Sequence, residues 1–194
     1  SIERPLVFGN NDTPGVMLSS AAKEYLKVYG VLVGKKPLIF TNNDSGYETA
    51  IEFKKNGVDP IILDTRKEPK SEIIDEAKKL DIKIKFSYVV VAAKGYKKVK
   101  SAEVAKISDD KNELGTLETI DCDCICVSGF WTPTIHLASQ SGNKTTFNKD
   151  IDAFVPGLSK QNETTLGAAS GTYTLDETLK SSFDSGYELS KKIT

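Results

Sequence analysis

Residues 37–48 read PLIFTNNDSGYE, a short apolar run followed by a polar turn and then by residues that favour a helix. The apolar run predicts a buried strand, and Ser45 with Glu48 three residues later has the spacing of a capping box at a helix start. The helix is predicted to end near Gly57, and a second apolar run, 58–63, follows it. This order of strand, helix and strand predicts a parallel βαβ unit.

The same alternation of strand and helix patterns continues on both sides of this unit. Upstream, Thr13 and Pro14 form a typical helix start and Gly30 lies where a left-handed C-terminal cap belongs, so a helix is predicted from Pro14 to the residue before Gly30. Downstream, apolar residues at helical spacing predict a helix over 71–80, and alternation predicts a strand over 82–86. The parallel sheet therefore gains a third strand.

The second half of the chain has β-rich patterns and a terminal helix. Three runs predict an antiparallel meander, at 88–93, 99–107 and 116–120. A further strand is predicted over 121–127, a short helix over 132–140 and a terminal helix over 175–193. These elements indicate an α/β protein with a parallel sheet and a β-meander.

The composition argues against several classes of function. Lysine and arginine number 26 against 27 acidic residues among 194, a net charge of -1, so bulk attraction to nucleic acid or to an anionic membrane is absent. The longest apolar run, 88–93, is far shorter than the roughly 20 residues that a membrane-spanning helix needs. The three cysteines form no spaced disulfide framework, which predicts a reducing, cytoplasmic location.

The turn 41–46 is the first candidate site, because the first βα turn of a dinucleotide-binding domain carries glycines that let a pyrophosphate approach. Of those glycines the turn keeps Gly46, and Asp44 would place a negative charge where a phosphate should lie. Asp64 follows at the position of a ribose-binding acid, and Arg66 nearby could hold a phosphate. The alternative is a capping turn in a domain that has lost its nucleotide, with Asp64 and Arg66 as solvated loop residues.

A second candidate is the stretch of small residues ahead of the terminal helix. Gly167, Ala168 and Gly171 allow close backbone approach, and the following helix offers free N–H groups to a pyrophosphate. The alternative is that the two glycines make a tight connection without any ligand.

The cysteines and the histidine are weaker candidates. Cys122, Cys124 and Cys126 alternate, so they are expected on one face of a strand; core packing is expected rather than metal binding, since no second ligand cluster exists. His136 is the only histidine. A serine hydrolase is not supported because the sequence around Ser128 lacks the first glycine of the Gly-x-Ser-x-Gly motif, so His136 is expected to order a loop or to face another subunit or a flavin.

Four separated stretches resemble one family of enzymes. They are ERPLVF at 3–8, NDTPGVM at 11–17, TNNDSGY at 41–47 and WTPTIHLASQSG at 131–142. In this order they resemble the alpha subunit of heterotetrameric sarcosine oxidase. The layout is also similar to the central and C-terminal parts of a flavoprotein of the pyridine nucleotide-disulfide oxidoreductase type, which implies a Rossmann-like three-layer nucleotide-binding-type domain plus part of a second dinucleotide-binding domain.

The resemblance implies the following organisation and activity. Residues 1–16 would be a strand and linker from a preceding dinucleotide-binding domain, 17–120 the central Rossmann-like domain with its meander, and 121–194 a returning strand and the C-terminal part of the NAD-binding domain. The assembled enzyme would demethylate sarcosine oxidatively to glycine with FAD and FMN, carry NAD on this subunit and pass the one-carbon unit to tetrahydrofolate in a C-terminal domain not present here. Its partners would be beta, gamma and delta subunits.

The resemblance also implies specific cofactor contacts. It aligns 167–175 with a loop beside the first dinucleotide site, where flavin-binding relatives carry an aspartate and this chain has Ala168 and Ala169. NAD is therefore expected there, in contact with Ala168, Tyr173 and Leu175, while no catalytic or metal-ligating residue is assigned. These residues are expected to be an internal fragment, inactive alone and able to self-associate. Two alternatives stay open, a subunit of a related amine- or opine-oxidising flavoprotein and a non-catalytic scaffold module.

Overall fold

A computed structural model describes residues 1–108 and 113–193 of the chain. The described residues form two compact units. The larger unit comprises residues 3–130, and the smaller one comprises residues 1–2 with the chain from Trp131 onward. A short strand, β1 (Ile2–Glu3), lies at the N-terminus.

A parallel sheet is the framework of the larger unit. Its strands are β2 (Val16–Leu18), β3 (Pro37–Thr41), β4 (Ile61–Asp64), β5 (Lys83–Phe86) and β9 (Cys124–Ser128). They lie in the order β2-β9-β3-β4-β5, and every neighbouring pair is parallel. Because the connection β3-β4-β5 runs to one side and β9 and β2 lie on the other, the sheet has a topological switch point between β3 and β9. Open α/β sheets bind their ligands outside the carboxyl ends of the strands at such a point.

Helices cover one face of the sheet and a meander covers the other. The helices are α1 (Ser19–Tyr29), α2 (Ser45–Lys55) and α3 (Glu72–Lys79), and the meander strands are β6 (Tyr88–Lys94), β7 (Ser101–Lys106) and β8 (Glu118–Asp121). Ile39 of β3 packs in a buried cluster with Phe53 of α2 and Ile74 of α3. Its neighbour Leu38 packs in the opposite cluster with Val104 of β7. The result is three layers, a Rossmann-like arrangement with its core on both faces of the sheet.

The structure confirms the predicted βαβ unit and meander. Leu38 lies opposite Ile61 in the parallel pair β3–β4, and α2 connects the two strands. The strands β6, β7 and β8 pair antiparallel in sequence order. Gly30 adopts φ 64° and ends α1 as predicted, with its N–H donated to the carbonyl of Leu26.

The helix predicted from Pro14 begins later, at Ser19. Gly15 has φ 107°, and the next three residues are extended as β2, with Val16 opposite Ile125 of β9. The Ile125 N–H also donates to the carbonyl of Gly15. Pairing with a distant strand therefore overrides the local helix signal of Thr13 and Pro14.

The returning strand β9 lies inside the sheet of the larger unit. It pairs with β2 on one edge and with β3 on the other, and all five of its residues are buried. The family resemblance implies instead that this strand belongs to the second domain, beyond residue 120. A strand with apolar residues on both faces is most stable between two others, which explains why the larger unit extends to Phe130. The assignment of the chain beyond Phe130 to a second dinucleotide-binding domain stays a prediction.

The smaller unit contains short elements and one long helix. They are β10 (Trp131–Thr132), α4 (His136–Gln140), β11 (Thr145–Asn148), β12 (Ala153–Pro156), a 3₁₀ helix (Gly167–Ala169) and α5 (Leu175–Ile193). The bounds of α5 are as predicted, whereas the helix predicted over 132–140 is limited to α4. The antiparallel hairpin β11–β12 was not predicted, because its strands are short and largely exposed. In the part of the chain that the structure describes, no helix has both the length and the apolar character to cross a membrane.

Candidate nucleotide sites

The first candidate site lies at the carboxyl edge of the sheet in the larger unit. Thr41, Asp64 and Ser128 end the strands β3, β4 and β9, and Thr41 is in register with both of the others. All three side chains are fully buried. The structure thus places the turn 41–46 and Asp64 at the same edge, as predicted for the two parts of one dinucleotide-type site.

The side chain of Asn43 fills the centre of the turn. Its Oδ1 accepts hydrogen bonds from the backbone N–H of Ser45 at 2.9 Å and from the Ser45 hydroxyl at 2.5 Å. Its Nδ2 donates to the carbonyl oxygen of Ser128 at 3.0 Å and lies 3.2 Å from the Ser128 Oγ. The side chain that caps the first turn of α2 is therefore Asn43, in an Asx-type turn, and not the predicted capping-box residue Ser45.

Thr41 and Gly46 hold the turn close to the end of β3. The hydroxyl of Thr41 donates to the carbonyl of Asn43 at 2.8 Å and accepts its N–H at 3.1 Å. A Cβ placed on Gly46 would lie 2.7 Å from both Cβ and Oγ1 of Thr41. Gly46 is thus required by the close packing of α2 on β3, a role that the last glycine of the dinucleotide motif has with or without a ligand.

Asp64 is the acceptor of a buried hydrogen-bond cluster. Its Oδ2 accepts from the Tyr47 hydroxyl at 2.7 Å and from Nη2 of Arg66 at 2.8 Å, while its Oδ1 accepts the Arg66 backbone N–H at 2.9 Å. The Nη1 of Arg66 also lies 2.8 Å from Oδ1 of Asp44. The interpretation of Asp64 as a solvated loop residue is therefore wrong, because Asp64 is fully buried at the end of β4. Arg66 does lie in the loop after β4 with its side chain 29% exposed, but it is paired with Asp64 and Asp44.

The electrostatics of this cluster fix its protonation pattern. Burial, together with the nearby Asp64 carboxylate, raises the pKa of Tyr47 above its ordinary value, so the phenol keeps its proton and donates it. Burial alone would lower the pKa of Arg66, but the hydrogen bonds and charges of Asp64 and Asp44 outweigh it and the pKa is raised. The guanidinium is a permanent cation shared by two carboxylates.

The second candidate site lies in the smaller unit, ahead of α5. Gly167 has φ 64° and begins the 3₁₀ helix that contains Ala168, and its carbonyl accepts the N–H of Thr172 at 3.1 Å. Gly171 has φ 91°, and a Cβ there would lie 2.9 Å from Cδ1 of Ile151. Both glycines are thus required by the backbone of this turn.

The remaining predicted residues of this stretch have different surroundings. The Tyr173 hydroxyl donates to the carbonyl of Trp131 at 2.8 Å, which ties the turn to β10. Leu175 is the first residue of α5 and its side chain is 74% exposed. The structure places Gly167, Ala168, Tyr173 and Leu175 along one connection, and their role in NAD binding stays a prediction.

The cysteines are core residues divided between the two faces of the sheet. Cys124 and Cys126 lie in the cluster on the helix side, whereas Cys122 lies in the cluster on the meander side. The expectation of a single face is therefore wrong for Cys122, which precedes the first residue of β9. His136 begins α4 and is exposed.

Three residues of the first site had no role in the sequence analysis. The signal for Asn43 was present, since an asparagine two residues before a helical serine is typical of an Asx turn. No local signal identifies Tyr47 or Ser128. Their hydrogen-bond partners Asp64 and Asn43 are 17 and 85 residues away in the chain.

Comparison with known sequences confirms the resemblance to sarcosine oxidase alpha subunits. No protein-family model matches the chain. It is 39% identical over 178 residues to sarcosine oxidase subunit alpha of Rhizobium meliloti (strain 1021) and 33% identical over 173 residues to that of Corynebacterium sp. (strain P-1), matches that each cover 88% of this chain. The chain spans 16% and 18% of the length of these curated relatives.

Comparison with solved structures confirms the fold. The thioredoxin reductase of Lactococcus lactis matches with a TM-score of 0.73 at 15% identity, over 98% of this chain and 62% of that one. The T. acidophilum thioredoxin reductase matches with a TM-score of 0.65 at 14% identity, over 100% of this chain and 64% of the other. At such identities the likeness concerns the fold, a mixed α/β architecture of the Rossmann type.

Proposed function

We propose that this chain is part of the alpha subunit of a flavoprotein oxidoreductase that demethylates sarcosine oxidatively to glycine. The observation that carries the proposal is the identity of 39% over 178 residues with a sarcosine oxidase alpha subunit. In this proposal the assembled enzyme uses FAD and FMN, carries NAD on this subunit and passes the one-carbon unit to tetrahydrofolate bound in another domain. Its partners are the beta, gamma and delta subunits, and its location is the cytoplasm.

The proposed contribution of these residues is framework and nucleotide binding. The stretch 167–175 would hold NAD through the backbone of Gly167, Ala168 and Gly171, next to Tyr173 and Leu175. Two features support this: both glycines adopt a positive φ, which favours residues without a side chain, and the turn leads directly into the N-terminus of α5. The central Rossmann-like domain of this proposal extends to Phe130, because β9 lies in its sheet, and the chain from Trp131 onward is assigned to the NAD-binding domain.

The reaction is tested with the full-length protein that contains this chain, prepared with its partner subunits. Sarcosine-dependent oxygen consumption and glycine formation are the measurements, with tetrahydrofolate present. We expect turnover of sarcosine. Turnover of an opine or another secondary amine in place of sarcosine would contradict the substrate assignment and favour the related amine- or opine-oxidising enzymes.

The NAD site is tested with a pair of variants on α5. Leu175→Glu adds a carboxylate to the first turn of α5, which already carries Asp176 and Glu177, beside the proposed pyrophosphate position. Leu179→Glu makes the same change one turn further along the helix. Both side chains are exposed, at 74% and 62%, so neither variant is expected to disturb folding of this unit. NAD affinity, measured by isothermal titration calorimetry, should fall at least tenfold in the first variant and stay within twofold in the second.

A further inference from the structure

We infer that the switch point between β3 and β9 is a self-occupied site, in which the protein's own side chains take the pyrophosphate and ribose positions of a dinucleotide. The Rossmann-like fold implies a dinucleotide there. The residues of this chain do not fit one. This inference is independent of the proposed NAD site, which lies in the other unit.

The pyrophosphate position is occupied by a carboxamide. In a dinucleotide site the glycine at the position of Asn43 leaves room for phosphate oxygens, which accept hydrogen bonds from the first turn of the helix. Here Oδ1 of Asn43 accepts the Ser45 N–H and hydroxyl, while its Nδ2 holds Ser128 at the end of β9. Asn43 is 5% exposed, so a phosphate could enter only after this side chain had left its hydrogen-bond partners Ser45 on α2 and Ser128 on β9.

At the ribose position, the carboxylate of Asp64 already has all its hydrogen-bond donors from within the protein. A ribose hydroxyl would have to donate to Asp64, which is 0% exposed and already accepts from the Tyr47 hydroxyl and from Arg66. Both carboxylate oxygens have donors at 2.7–2.9 Å. A nucleotide would therefore have to break a charge-assisted pair and leave a buried phenol without its acceptor.

The charges at the edge also oppose an anion. The Asp44 side chain is 44% exposed beside the first turn of α2, where a phosphate would meet its negative charge. The cation that could compensate, Arg66, directs Nη1 to Asp44 and both Nε and Nη2 to Asp64. The guanidinium thus acts as an internal counter-ion for the two carboxylates and is not available to a phosphate.

The self-occupied site links the elements that a bound nucleotide would otherwise order. Asn43 joins the start of α2 to the end of β9, and the cluster of Asp64, Tyr47 and Arg66 joins α2 to β4. We therefore expect the carboxyl edge of this sheet to keep one conformation whether or not nucleotide is bound elsewhere in the protein.

Hydrogen exchange of the full-length protein, with and without 1 mM NAD⁺ or NADP⁺, tests the inference at the site itself. We expect the exchange of peptides that cover 41–48 and 64–66 to be unchanged by either nucleotide. Slower exchange there on addition of nucleotide would overturn the inference. Protection at 167–175 tests the proposed NAD site separately, so the two proposals can fail independently.

Two substitutions in the self-occupied site give a second readout that does not depend on exchange. Asp64→Asn and Asn43→Ser should each lower Tm, while in equilibrium dialysis the Kd for NAD⁺ stays within twofold of that of the parent protein and the number of NAD⁺ equivalents bound is unchanged. If either variant binds one equivalent fewer, or binds tenfold more weakly while its near-ultraviolet circular dichroism is native, the site holds a nucleotide and the inference is wrong. Asn43→Ser keeps a hydroxyl acceptor for the Ser45 N–H and serves if Asp64→Asn does not fold. Leu175→Glu is the matched control, expected to change Kd without lowering Tm.

Discussion

The carboxamide of Asn43 occupies space that a glycine would leave empty, and this one side chain decides what the turn 41–46 can do. A glycine there exposes backbone N–H groups to a ligand, whereas an asparagine satisfies them from within the chain. Gly46 remains in the same turn because Thr41 is too close for any side chain. A glycine at position 43 is needed only where a ligand binds, whereas the glycine at position 46 is needed for the packing of α2 on β3.

At the same scale, Asp64→Asn should destabilise the larger unit by about 2–3 kcal/mol, because the Arg66 guanidinium loses its buried charged partner. Asp59→Asn is the control, since Asp59 is paired with Lys54 but its side chain is 84% exposed. This second change should alter stability by less than about 0.5 kcal/mol. Urea unfolding followed by circular dichroism measures both, and equal effects would contradict the structural role of the Asp64 cluster.

Gly46→Ala should cost about 1–3 kcal/mol, because its Cβ would lie 2.7 Å from the Thr41 side chain and α2 would have to move away from β3. Gly186→Ala in α5 is the matched glycine substitution, with nothing within 4 Å of the added Cβ. It should stabilise its helix by about 0.5–1 kcal/mol. Thermal unfolding of the two variants should therefore shift in opposite directions, and a neutral Gly46→Ala would show that the close approach is not needed.

At the scale of elements, β9 carries the largest difference between expectation and structure. The sequence predicts a strand over 121–127 and β9 is present there, but the sequence does not identify its pairing partners β2 and β3. Hydrophobic alternation identifies a strand locally, whereas its neighbours depend on how separate segments of the chain pack. The same limit applies to β2, whose residues have a helix-start signal before them and become extended because β9 pairs with them.

The buried thiols of Cys122 and Cys126 predict a loss of stability in alkaline solution. Burial raises the pKa of Cys122 from 9.0 to about 12, and a hydrogen bond with Cys124 together with burial raises that of Cys126. Between pH 9 and 12 the unfolded chain therefore releases a proton that the folded chain keeps at Cys122. The free energy of unfolding should fall by up to about 1.4 kcal/mol per pH unit for this group.

This alkaline loss is measured by urea unfolding at a series of pH values from 8 to 11. Cys122→Ala removes one titrating group, so its free energy of unfolding should decline less steeply with pH than that of the parent chain. An unchanged slope in the variant would mean that Cys122 does not keep its proton in the folded state.

At the scale of the whole molecule, the parallel sheet is completed by β9, a strand that is distant in the chain from the strands it pairs with. Val16 pairs with Ile125, so the larger unit can complete its sheet only after most of its sequence is available. Such non-local pairing costs loop entropy before it gains contacts. The extent of this unit therefore follows from β9 and not from the end of the meander.

Two truncated chains test where the larger unit ends. A chain that ends at Phe130 should unfold cooperatively in urea, because it keeps all five strands of the sheet. A chain that ends at Ile120 lacks β9, which leaves β2 without its partner and uncovers an edge of β3, so it should show no cooperative transition. Cooperative unfolding of the shorter chain with an unchanged midpoint would support a domain boundary at 120/121.

The sequence by itself determined the local elements of this protein and its relationship to sarcosine oxidase alpha subunits. Apolar periodicity and glycine caps act over a few residues, so the βαβ unit, the meander and the bounds of α5 could be predicted. Only the tertiary structure decided the central place of β9, the burial of Asp64 and the internal capping by Asn43. The physical reason is that a buried charge or an occupied turn depends on partners such as Tyr47, Arg66 and Ser128, which come together only when separate strands and helices pack.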